Sequence, residues 1–387
     1  MLPKATRGPL SLVACAVVVA CAGTEEKASF PDRVLPEASY ATLPQLTVDS
    51  TEALCADDDA CELFWSRALA ISPDGDVVFL GRDGKQPQLF LRDAATVKLT
   101  RLGRVGSGPG EYMEPWRMGF TSTGDVVAFD GPQFRLIRYS REGSVREMGT
   151  TSIPGGFIDA WFVDAELRFL AAERAKRTGD STAVAYLAVD SATGKLRTLS
   201  TLPTRGLYYN IEDLRPAPPA YSAHALYDVR PDGLIAYTRG ERMEIDLFDA
   251  SGARRLRFGL EHEPRKVTKA DLQAALGRSL MGVRDPQMRR WITARAKTGE
   301  GAGRHPAITR LVALDDGAVW VRESPREAQD SVQWVQFDSA SKPTGRLLLA
   351  SDDILLAAHG GRILMSSSEG ERGRAHLRWI RLRASRD

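Results

Sequence analysis

Short segments of continuous or alternating apolar residues repeat along the chain, and turns rich in glycine and aspartate separate them. The clearest unit runs from Gly119 to Asp130 and on from Arg135 to Gly143: an apolar strand, a polar turn, an alternating strand and another turn. Glycine suits such turns because it adopts positive φ without steric cost. The same order recurs from about Leu63 onward, so the pattern predicts a repeat protein built of antiparallel β-sheets.

Six such units can be counted by the turn inside each one. These turns fall at Gly75, Gly124, Ala165, Gly233, Gly317 and Gly360. Their successive spacings are 49, 41, 68, 84 and 43 residues, and three of these match the roughly 40–50 residues of a four-stranded propeller blade. Sheets stacked face to face around an axis cover both apolar faces of every sheet. The pattern therefore predicts an all-β fold, a six-bladed β-propeller over residues 45–387.

The two longer spacings require insertions, and one of them predicts helices. Thr268 to Asp271 has the pattern of a capping box, and apolar residues follow it at helical spacing. Asp285-Pro286 suits the N-cap and first position of a second helix. We therefore expect a helical insertion at about 260–305, between the fourth and fifth blades. The other long spacing, about 197–222, is rich in Pro and Tyr and predicts an ordered loop.

The N-terminal residues have the composition of an export signal. Lys4 and Arg7 precede an apolar stretch over 9–20, which is too short to span a bilayer. The stretch ends in Val18-Val-Ala-Cys21, which resembles a bacterial lipobox, and in that family the cysteine becomes the diacylated N-terminus after cleavage. This predicts a signal peptide over 1–20, lipidation of Cys21 and a flexible, lipid-anchored tether over 21–44.

Three alternatives remain at this terminus, and a plain apolar anchor is one of them. An ordinary secretory signal cleaved nearby would leave no lipid. Leu12-Val-Ala-Cys15 also matches the lipobox at its first position, but it would leave an apolar region of only about six residues.

Cys55 and Cys61 are the two cysteines outside the leader. Export to an oxidising compartment predicts a disulfide between them. The residues between them include Asp57 to Asp59, so a calcium site is an alternative. Three adjacent aspartates cannot all converge on one ion without other ligands, and this favours a solvated hairpin tip.

The charge balance excludes a general attraction to polyanions. Without Lys4 and Arg7, basic and acidic residues number 50 each. No net field then favours nucleic acid or an anionic lipid surface, so we expect contact with the membrane only through the lipid.

A family resemblance supports the propeller prediction. The segment Gly106-Ser-Gly-Pro-Gly-Glu-Tyr112, followed by a strand that ends at Asp130 and the strand Arg135-Leu-Ile-Arg-Tyr139, resembles bacterial NHL-like six-bladed β-propeller lipoproteins. The segment from His305 to Asp338 is similar to that family as well. The resemblance covers about residues 45–385 and implies the fold, but it says almost nothing about activity. The third unit departs from it, because Asp164-Ala165 replaces the Asp-Gly turn.

The glycine-rich run is the first candidate site. It contains Arg104, Gly106, Gly108, Gly110 and Glu111. A P-loop needs Gly-Lys-Ser/Thr at the start of a helix, whereas Pro-Gly-Glu here leads into a strand. The run is therefore interpreted as a crossover between blades, and Arg104 and Glu111 are expected to face the central funnel.

The sequence gives little support for catalysis or for a metal. Its five histidines show no metal-ligand spacing, although a propeller axis could bring distant ones together. No Ser/His/Asp order or nucleophile elbow can be identified. We therefore predict no catalytic residues, no metal and no cofactor.

The function predicted from the sequence is that of a non-catalytic binding or scaffolding module of the cell envelope. An envelope protein or a small ligand is the expected partner, nucleic acid is not, and the protein is expected to be a monomer. The basic helix in the insertion, with Arg289, Arg290 and Trp291, is the candidate partner contact. The alternative is a propeller enzyme, a lyase or hydrolase with its site in the axial funnel.

Overall fold

The structure is a computed structural model. It describes residues 32–55, 62–63, 69–83, 86–150, 156–163, 166–172, 182–189, 196–204, 223, 225–280, 283–297, 303–324, 330–369 and 374–385.

The described chain is almost entirely β-structure. It begins with β1 (Asp32–Leu35), helix α1 (Glu37–Ala41) and β2 (Gln45–Ala53). A four-stranded sheet follows, made of β3 (Leu69–Ile71), β4 (Val77–Asp83), β5 (Gln86–Arg92) and β6 (Leu99–Leu102). The short strands β7 (Arg104–Val105) and β8 (Glu111–Tyr112) pair in parallel within the glycine-rich run.

Two further four-stranded sheets continue this meander. The first contains β9 (Pro115–Phe120), β10 (Val126–Asp130), β11 (Arg135–Tyr139) and β12 (Val145–Thr150). The second contains β13 (Gly156–Val163), β14 (Glu166–Ala172), β15 (Thr182–Val189) and β16 (Leu196–Thr204). Neighbouring strands in both sheets are antiparallel and consecutive in the chain.

The C-terminal half contains two larger sheets and the helices. A five-stranded sheet has β17 (Leu226–Val229), β18 (Ile235–Thr238), β19 (Glu244–Phe248) and β20 (Arg254–Leu260), with β1 added at its edge. Helices α2 (Lys269–Leu280) and α3 (Pro286–Lys297) follow. An eight-stranded sheet contains β21 (Arg310–Ala313), β22 (Val319–Arg322), β23 (Ser331–Phe337), β24 (Pro343–Ala350), β2, β27 (Arg374–Ala384), β26 (Arg362–Glu369) and β25 (Ile354–His359).

The N-terminal strand β2 joins the two ends of the chain. It pairs with β27 in antiparallel fashion from Leu46 to Ala53 and with β24 in parallel at Gln45 and Leu46. The repeat pattern does not reveal this pairing, because the partner strands lie at the far end of the sequence. The last sheet is therefore completed by the start of the folded chain.

The sheets pack face to face in a closed sequence. One buried cluster joins β3–β6 to β9–β12, and Phe162 of β13 packs against Gly119 of β9. Further clusters join β13–β16 to β17–β20, then β17–β20 to β21–β24, then β21–β24 to β25–β27, and β25–β27 back to β3–β6. Sheets that cover one another's faces around a ring form a β-propeller.

Burial follows the pattern expected of inner and outer strands. Val77, Val78, Phe79 and Leu80 of β4 are all 0% exposed, as a strand covered on both faces requires. Along β11, fully buried residues alternate with half-buried ones, which is typical of a strand nearer the edge.

The helical insertion confirms the helix predictions. The backbone N–H of Thr268 donates to Asp271 Oδ2 at 2.7 Å, and that of Asp271 donates to Thr268 Oγ1 at 3.1 Å, so the capping box is formed. At α3 the N–H of Gln287 donates to Asp285 Oδ1 at 2.9 Å. Within the described residues, no helix has the length and apolar character needed to cross a membrane.

Part of the predicted tether belongs to the folded body. Residues 32–44 contain β1 and α1, and β1 pairs in parallel with β20 from Asp32 to Leu35. Tyr40 of α1 packs against the buried cluster between β17–β20 and β21–β24. This apolar anchor, in a segment with little periodicity, is the signal that the sequence interpretation missed.

Candidate functional site

A cavity of about 350 Å³ opens on the sheet that contains β18, β19 and β20. We call it the β18–β20 cavity. Its lining consists of Tyr237, Thr238, Arg239, Glu241, Arg242, Glu244, Asp246 and Arg257. The volume lies within the range of small-molecule sites, roughly 300–1,000 Å³.

The strand register aligns the floor of this cavity in one row. Tyr237 lies directly opposite Asp246, and Asp246 lies directly opposite Arg257. Residues opposite each other on adjacent strands project from the same face of a sheet. The row therefore places a phenol, a carboxylate and a guanidinium side by side.

The hydroxyl of Tyr237 is the least satisfied polar group of the row. Tyr237 is 3% exposed, and its ring packs against Tyr227 and Phe248 at centroid distances of 4.9 and 5.9 Å. Burial raises the pKa of Tyr237, and the neighbouring Arg239 guanidinium acts to lower it, although the hydroxyl forms no hydrogen bond of normal geometry with Arg239 or with another described residue. A buried hydroxyl without a full hydrogen bond costs free energy. Because this oxygen is itself buried, a ligand can bond to it only if neighbouring side chains of the cavity move.

Four of the charged groups of the cavity are paired with one another. Arg257 donates from Nε and Nη2 to the two oxygens of Asp246, both at 2.8 Å, and this hydrogen bonding raises the pKa of Arg257. Arg257 Nη1 also lies 3.8 Å from Glu244 Oε2, and Arg242 lies 3.5 Å from the other Glu244 oxygen. Among the described residues that line the cavity, three arginines are balanced by three carboxylates.

Removal of the Tyr237 hydroxyl provides a stability test of this description. We expect Tyr237→Phe to leave the melting temperature unchanged or slightly higher, because no hydrogen bond is lost. The matched control is Tyr139→Phe, since Tyr139 is 0% exposed and donates to the Gly110 carbonyl at 3.0 Å. That change should cost about 1 kcal/mol. Thermal unfolding of both variants checks the pair, and an equal loss in both would contradict the unpartnered hydroxyl.

A second polar cluster lies where the helical insertion meets the end of β22. His305 Nε2 lies 3.0 Å from Asp271 Oδ2, and His305 Nδ1 lies 3.2 Å from Ser324 Oγ. The sequence did not suggest this serine–histidine–aspartate contact, because the three residues come from separate segments. The structure thus brings together residue types that can perform nucleophilic catalysis.

The surroundings of Asp271 favour a structural role for this cluster. Its Oδ2 atom also accepts hydrogen bonds from Thr268 and Arg265. Burial acts to raise the pKa of Asp271, but these bonds and the one from His305 outweigh it and lower the pKa. The His305 side chain is only 1% exposed, so a substrate could not reach it directly. The cluster anchors the helix cap to β22.

Tyr40 extends this contact to the N-terminal segment. Its hydroxyl donates to Glu323 Oε1, its ring stacks on His262 at 5.1 Å, and the guanidinium of Arg346 lies 5.1 Å from the ring centroid. Burial and the Glu323 carboxylate raise the pKa of Tyr40. Residues 32–44 are thereby held against β22 and β24.

The glycine-rich run forms a hydrogen-bonded crossover between β6 and β9. Glu111 accepts from Arg104 Nε at 2.6 Å and from the Gly108 N–H at 2.8 Å, and these bonds lower the pKa of Glu111. The N–H of Gly106 donates to the Tyr112 carbonyl at 2.9 Å, and Gly110 has a φ of +72° that favours glycine. The five predicted residues thus lie together, and their contacts are those of a turn.

Arg135 holds this crossover in place through hydrogen bonds to its backbone carbonyls. It donates from Nη1 to the Ser107 carbonyl at 3.1 Å and from Nη2 to the Glu111 carbonyl at 2.7 Å. Its Nη2 also lies 3.2 Å from Asp130 Oδ2, and Asp130 is 0% exposed. Asp130 accepts the N–H groups of Met113 and Glu114 as well, so a buried ion pair organises the run.

The predicted contact residues of the insertion lie on α3. Arg289 donates from Nη1 to the carbonyls of Leu280 and Val283, at 3.2 and 3.0 Å, and so closes the connection between α2 and α3. Arg290 is exposed, whereas the Trp291 side chain lies outside the described part of the structure.

Asp315 lies in the turn between β21 and β22, and the pKa of its carboxyl is raised. Although it is open to solvent, the protein atoms around it desolvate the carboxylate, and together with Asp228 and Asp316 they raise its pKa to about 7. Among the described residues no group of three or more His, Cys, Asp or Glu side chains could hold a metal ion.

This raised pKa predicts a pH dependence of stability. The folded chain binds the Asp315 proton more tightly than the unfolded chain, in which the pKa of this carboxyl is near 3.8. The stabilisation is therefore complete below about pH 4 and is lost as the pH rises to about 7. We expect Asp315→Asn to raise Tm at pH 8 by about 1–2 °C, a small effect because the group is accessible to solvent. Thermal unfolding should show the difference shrinking towards pH 4, and a constant difference would contradict the assignment.

Several predicted residues lie outside the described part of the chain. These are Cys21, Cys61, Asp57 to Asp59 and His224. Cys55 is 5% exposed and is disulfide-bonded, but its pairing with Cys61 stays a prediction. His262, His359 and His376 lie on separate elements: after β20, at the end of β25 and within β27.

Known proteins resemble this chain in fold but not in sequence. No family model and no curated protein matches it. A solved structure of a candidate exported protein from Bacteroides fragilis is 11% identical, with a TM-score of 0.51, over 92% of this chain and 100% of that one. A member of the DUF4221 family from Bacteroides vulgatus is 9% identical, with a TM-score of 0.55, over 89% and 99%.

A more distant match is an enzyme. Oligogalacturonate lyase from Vibrio parahaemolyticus is 10% identical, with a TM-score of 0.46, over 88% of this chain and 98% of that one. Similarity at this level carries no information about the activity of this chain. The likeness to the two Bacteroides proteins shows a shared fold.

The sequence contained a partial signal for the cavity. Glu244 and Asp246 alternate with apolar residues along β19, which assigns them to one face of the sheet. What the sequence could not show is that Tyr237 and Arg257 flank Asp246, because the cross-strand register sets that arrangement. The cavity residues were therefore missed.

Proposed function

We propose that this protein is an exported, lipid-anchored, six-bladed β-propeller that binds a small ligand in the β18–β20 cavity. The observation that carries the binding function is the polar cavity of about 350 Å³, whose lining includes Tyr237 with a buried hydroxyl that forms no hydrogen bond of normal geometry with a described residue. Buried polar groups in proteins are normally hydrogen-bonded. A ligand that supplies a well-formed hydrogen bond would offset the cost of burying this hydroxyl.

The six-blade assignment draws support from the strand sets. Six consecutive sets of strands each pack against the next, and the last packs against the first. Two sets share one continuous sheet only because β2 bridges β24 and β27. The resemblance to NHL-like lipoproteins accords with this count.

The binding function can be tested with a ligand screen on the chain from residue 22 onward. Melting temperature is followed as compounds are added, because a ligand that binds only the folded state raises Tm. We expect at least one compound to raise Tm in the wild type and to lose most of that effect in Tyr237→Phe. Ligands that act equally on both proteins would place binding elsewhere and refute the assignment to this cavity.

The anchor and the location form a separate part of the proposal. Lipidation at Cys21 would hold the propeller at the bacterial envelope, with the outer membrane as the expected site. We expect Cys21→Ser, expressed with its signal, to move the protein from the membrane fraction to the soluble fraction, because a lipid-free chain loses its apolar anchor. Immunoblots of the two fractions measure this, and continued membrane association would refute lipidation at Cys21.

A propeller enzyme is the second candidate. The contact between Ser324 and His305 is the feature that could serve it, although His305 is only 1% exposed. If Ser324 were an activated nucleophile, a fluorophosphonate probe should label the wild type but not Ser324→Ala. If the probe labels Ser324→Ala as strongly as the wild type, or labels neither protein, a serine hydrolase at this cluster is excluded. The surface of α3 around the exposed Arg290 is a separate feature, and it stays the predicted contact for an envelope partner.

A further inference from the structure

The β18–β20 cavity has a chemistry that selects the class of its ligand. Six of the eight described residues that line it are charged, with three arginines balanced by three carboxylates. An apolar ligand would desolvate these groups without replacing their hydrogen bonds, at a cost in free energy. The ligand must therefore be polar.

The ion pairs of the cavity disfavour a charged ligand. An anion placed on Arg257 would lie against Asp246, whose oxygens are 2.8 Å from that guanidinium, and near Glu244 at 3.8 Å. A cation placed on either carboxylate would face the same guanidinium. Since like charges at such distances repel, neither sign of charge gains from binding at this pair.

Hydroxyl groups fit the pattern of donors and acceptors that remains. A guanidinium has five N–H donors and a carboxylate has about four lone-pair positions, so the Asp246–Arg257 pair keeps unused hydrogen-bonding capacity. A hydroxyl both donates and accepts, and it can join the pair without breaking it. The phenol, carboxylate and guanidinium of the floor row repeat at about 4.8 Å, the spacing of adjacent strands, so a ligand with several hydroxyls can bind to more than one of them.

We propose that the β18–β20 cavity binds an uncharged, hydroxyl-rich ligand of the saccharide class, an inference that rests on the proposed binding function. The hydroxyl of Tyr237 donates a hydrogen bond to a sugar oxygen or accepts one from a sugar hydroxyl. Asp246 accepts from one sugar hydroxyl, and Arg257 donates to another. The sugar hydroxyls thereby replace the water that the cavity loses on binding.

The test compares sugars that share the same ring but differ in charge. Isothermal titration of the chain from residue 22 onward would use glucose, galactose and mannose, each compared with its 2-amino sugar and its uronic acid. N-acetylglycine N-methylamide serves as an uncharged ligand without hydroxyls. We expect saturable binding of at least one neutral sugar, at least tenfold tighter than its cationic and anionic analogues and tighter than the amide.

Variants locate the binding and separate the two proposals. Tyr237→Phe and Arg257→Gln should each weaken the neutral sugar by about tenfold. The matched control is Arg138→Gln, because Arg138 pairs with Asp125 at 2.8–2.9 Å on another sheet, and it should bind normally. Preference for a charged sugar would overturn the uncharged character of the ligand, and preference for the amide would overturn the saccharide class. Either preference, if lost in Tyr237→Phe, would preserve the binding function. If the three neutral sugars fail to bind, the saccharide class is likewise overturned, and the compound screen decides the binding function separately.

Discussion

Asp130→Ala is expected to lower the free energy of unfolding by about 3–5 kcal/mol, because it leaves the buried Arg135 guanidinium without its counter-charge. Asp130 is 0% exposed and also accepts the N–H groups of Met113 and Glu114. Those donors would be left unsatisfied as well. Urea unfolding followed by tryptophan fluorescence measures the loss through the transition midpoint, provided the m-value is unchanged.

An exposed ion pair provides the control for this experiment. Arg101 and Asp83 lie 3.0 Å apart, with side chains 65% and 43% exposed. Solvent screening makes such pairs worth about 0–1 kcal/mol, so Asp83→Ala should have little effect. If Asp83→Ala and Asp130→Ala cost the same, the organising role of the buried pair is wrong.

Asp271→Ala is expected to have the second largest effect, a loss of about 3 kcal/mol or more. The change removes the acceptor for Arg265, His305 and the Thr268 N–H in one step. The insertion should loosen from β22, and its amides should exchange hydrogen faster. Hydrogen exchange across 265–305, together with thermal unfolding, measures both consequences.

The other helix cap of the insertion is the matched control. Asp285 accepts the Gln287 N–H at 2.9 Å in an exposed position, and Asp285→Ala should cost only about 1 kcal/mol. A comparable loss in the two variants would show that Asp271 acts as a simple cap. A larger loss for Asp271 supports its role as the link between insertion and propeller.

The sequence predicted the strands well, because each strand carries its own signal. Val77 to Leu80 form a continuous apolar run, and glycine marks the tight turns at Gly75 and Gly233, which have φ of +88° and +78°. Helices α2 and α3 were predicted from the caps at Thr268 and Asp285. Local chemistry was sufficient in all of these places.

The features that the sequence did not predict depend on distant partners. Nothing local in Gln45 to Ala53 indicates pairing with β27, and Tyr40 gives no sign of its contact with Glu323. The same holds for Tyr237, Asp246 and Arg257, whose neighbourhood follows from register. The binding candidate therefore could not be found before the strands were aligned.

Closure of the ring through β2 has a consequence for biogenesis. The partner of β2 is β27, which a ribosome synthesises more than 300 residues later. Bringing such distant segments together carries a loop-closure cost and slows folding. While the chain is being made or translocated, β2 and the edge of β26 stay without their final neighbours, and exposed strand edges promote aggregation. A chaperone that shields these edges until synthesis is complete would raise the yield of this protein more than one that acts on its helices.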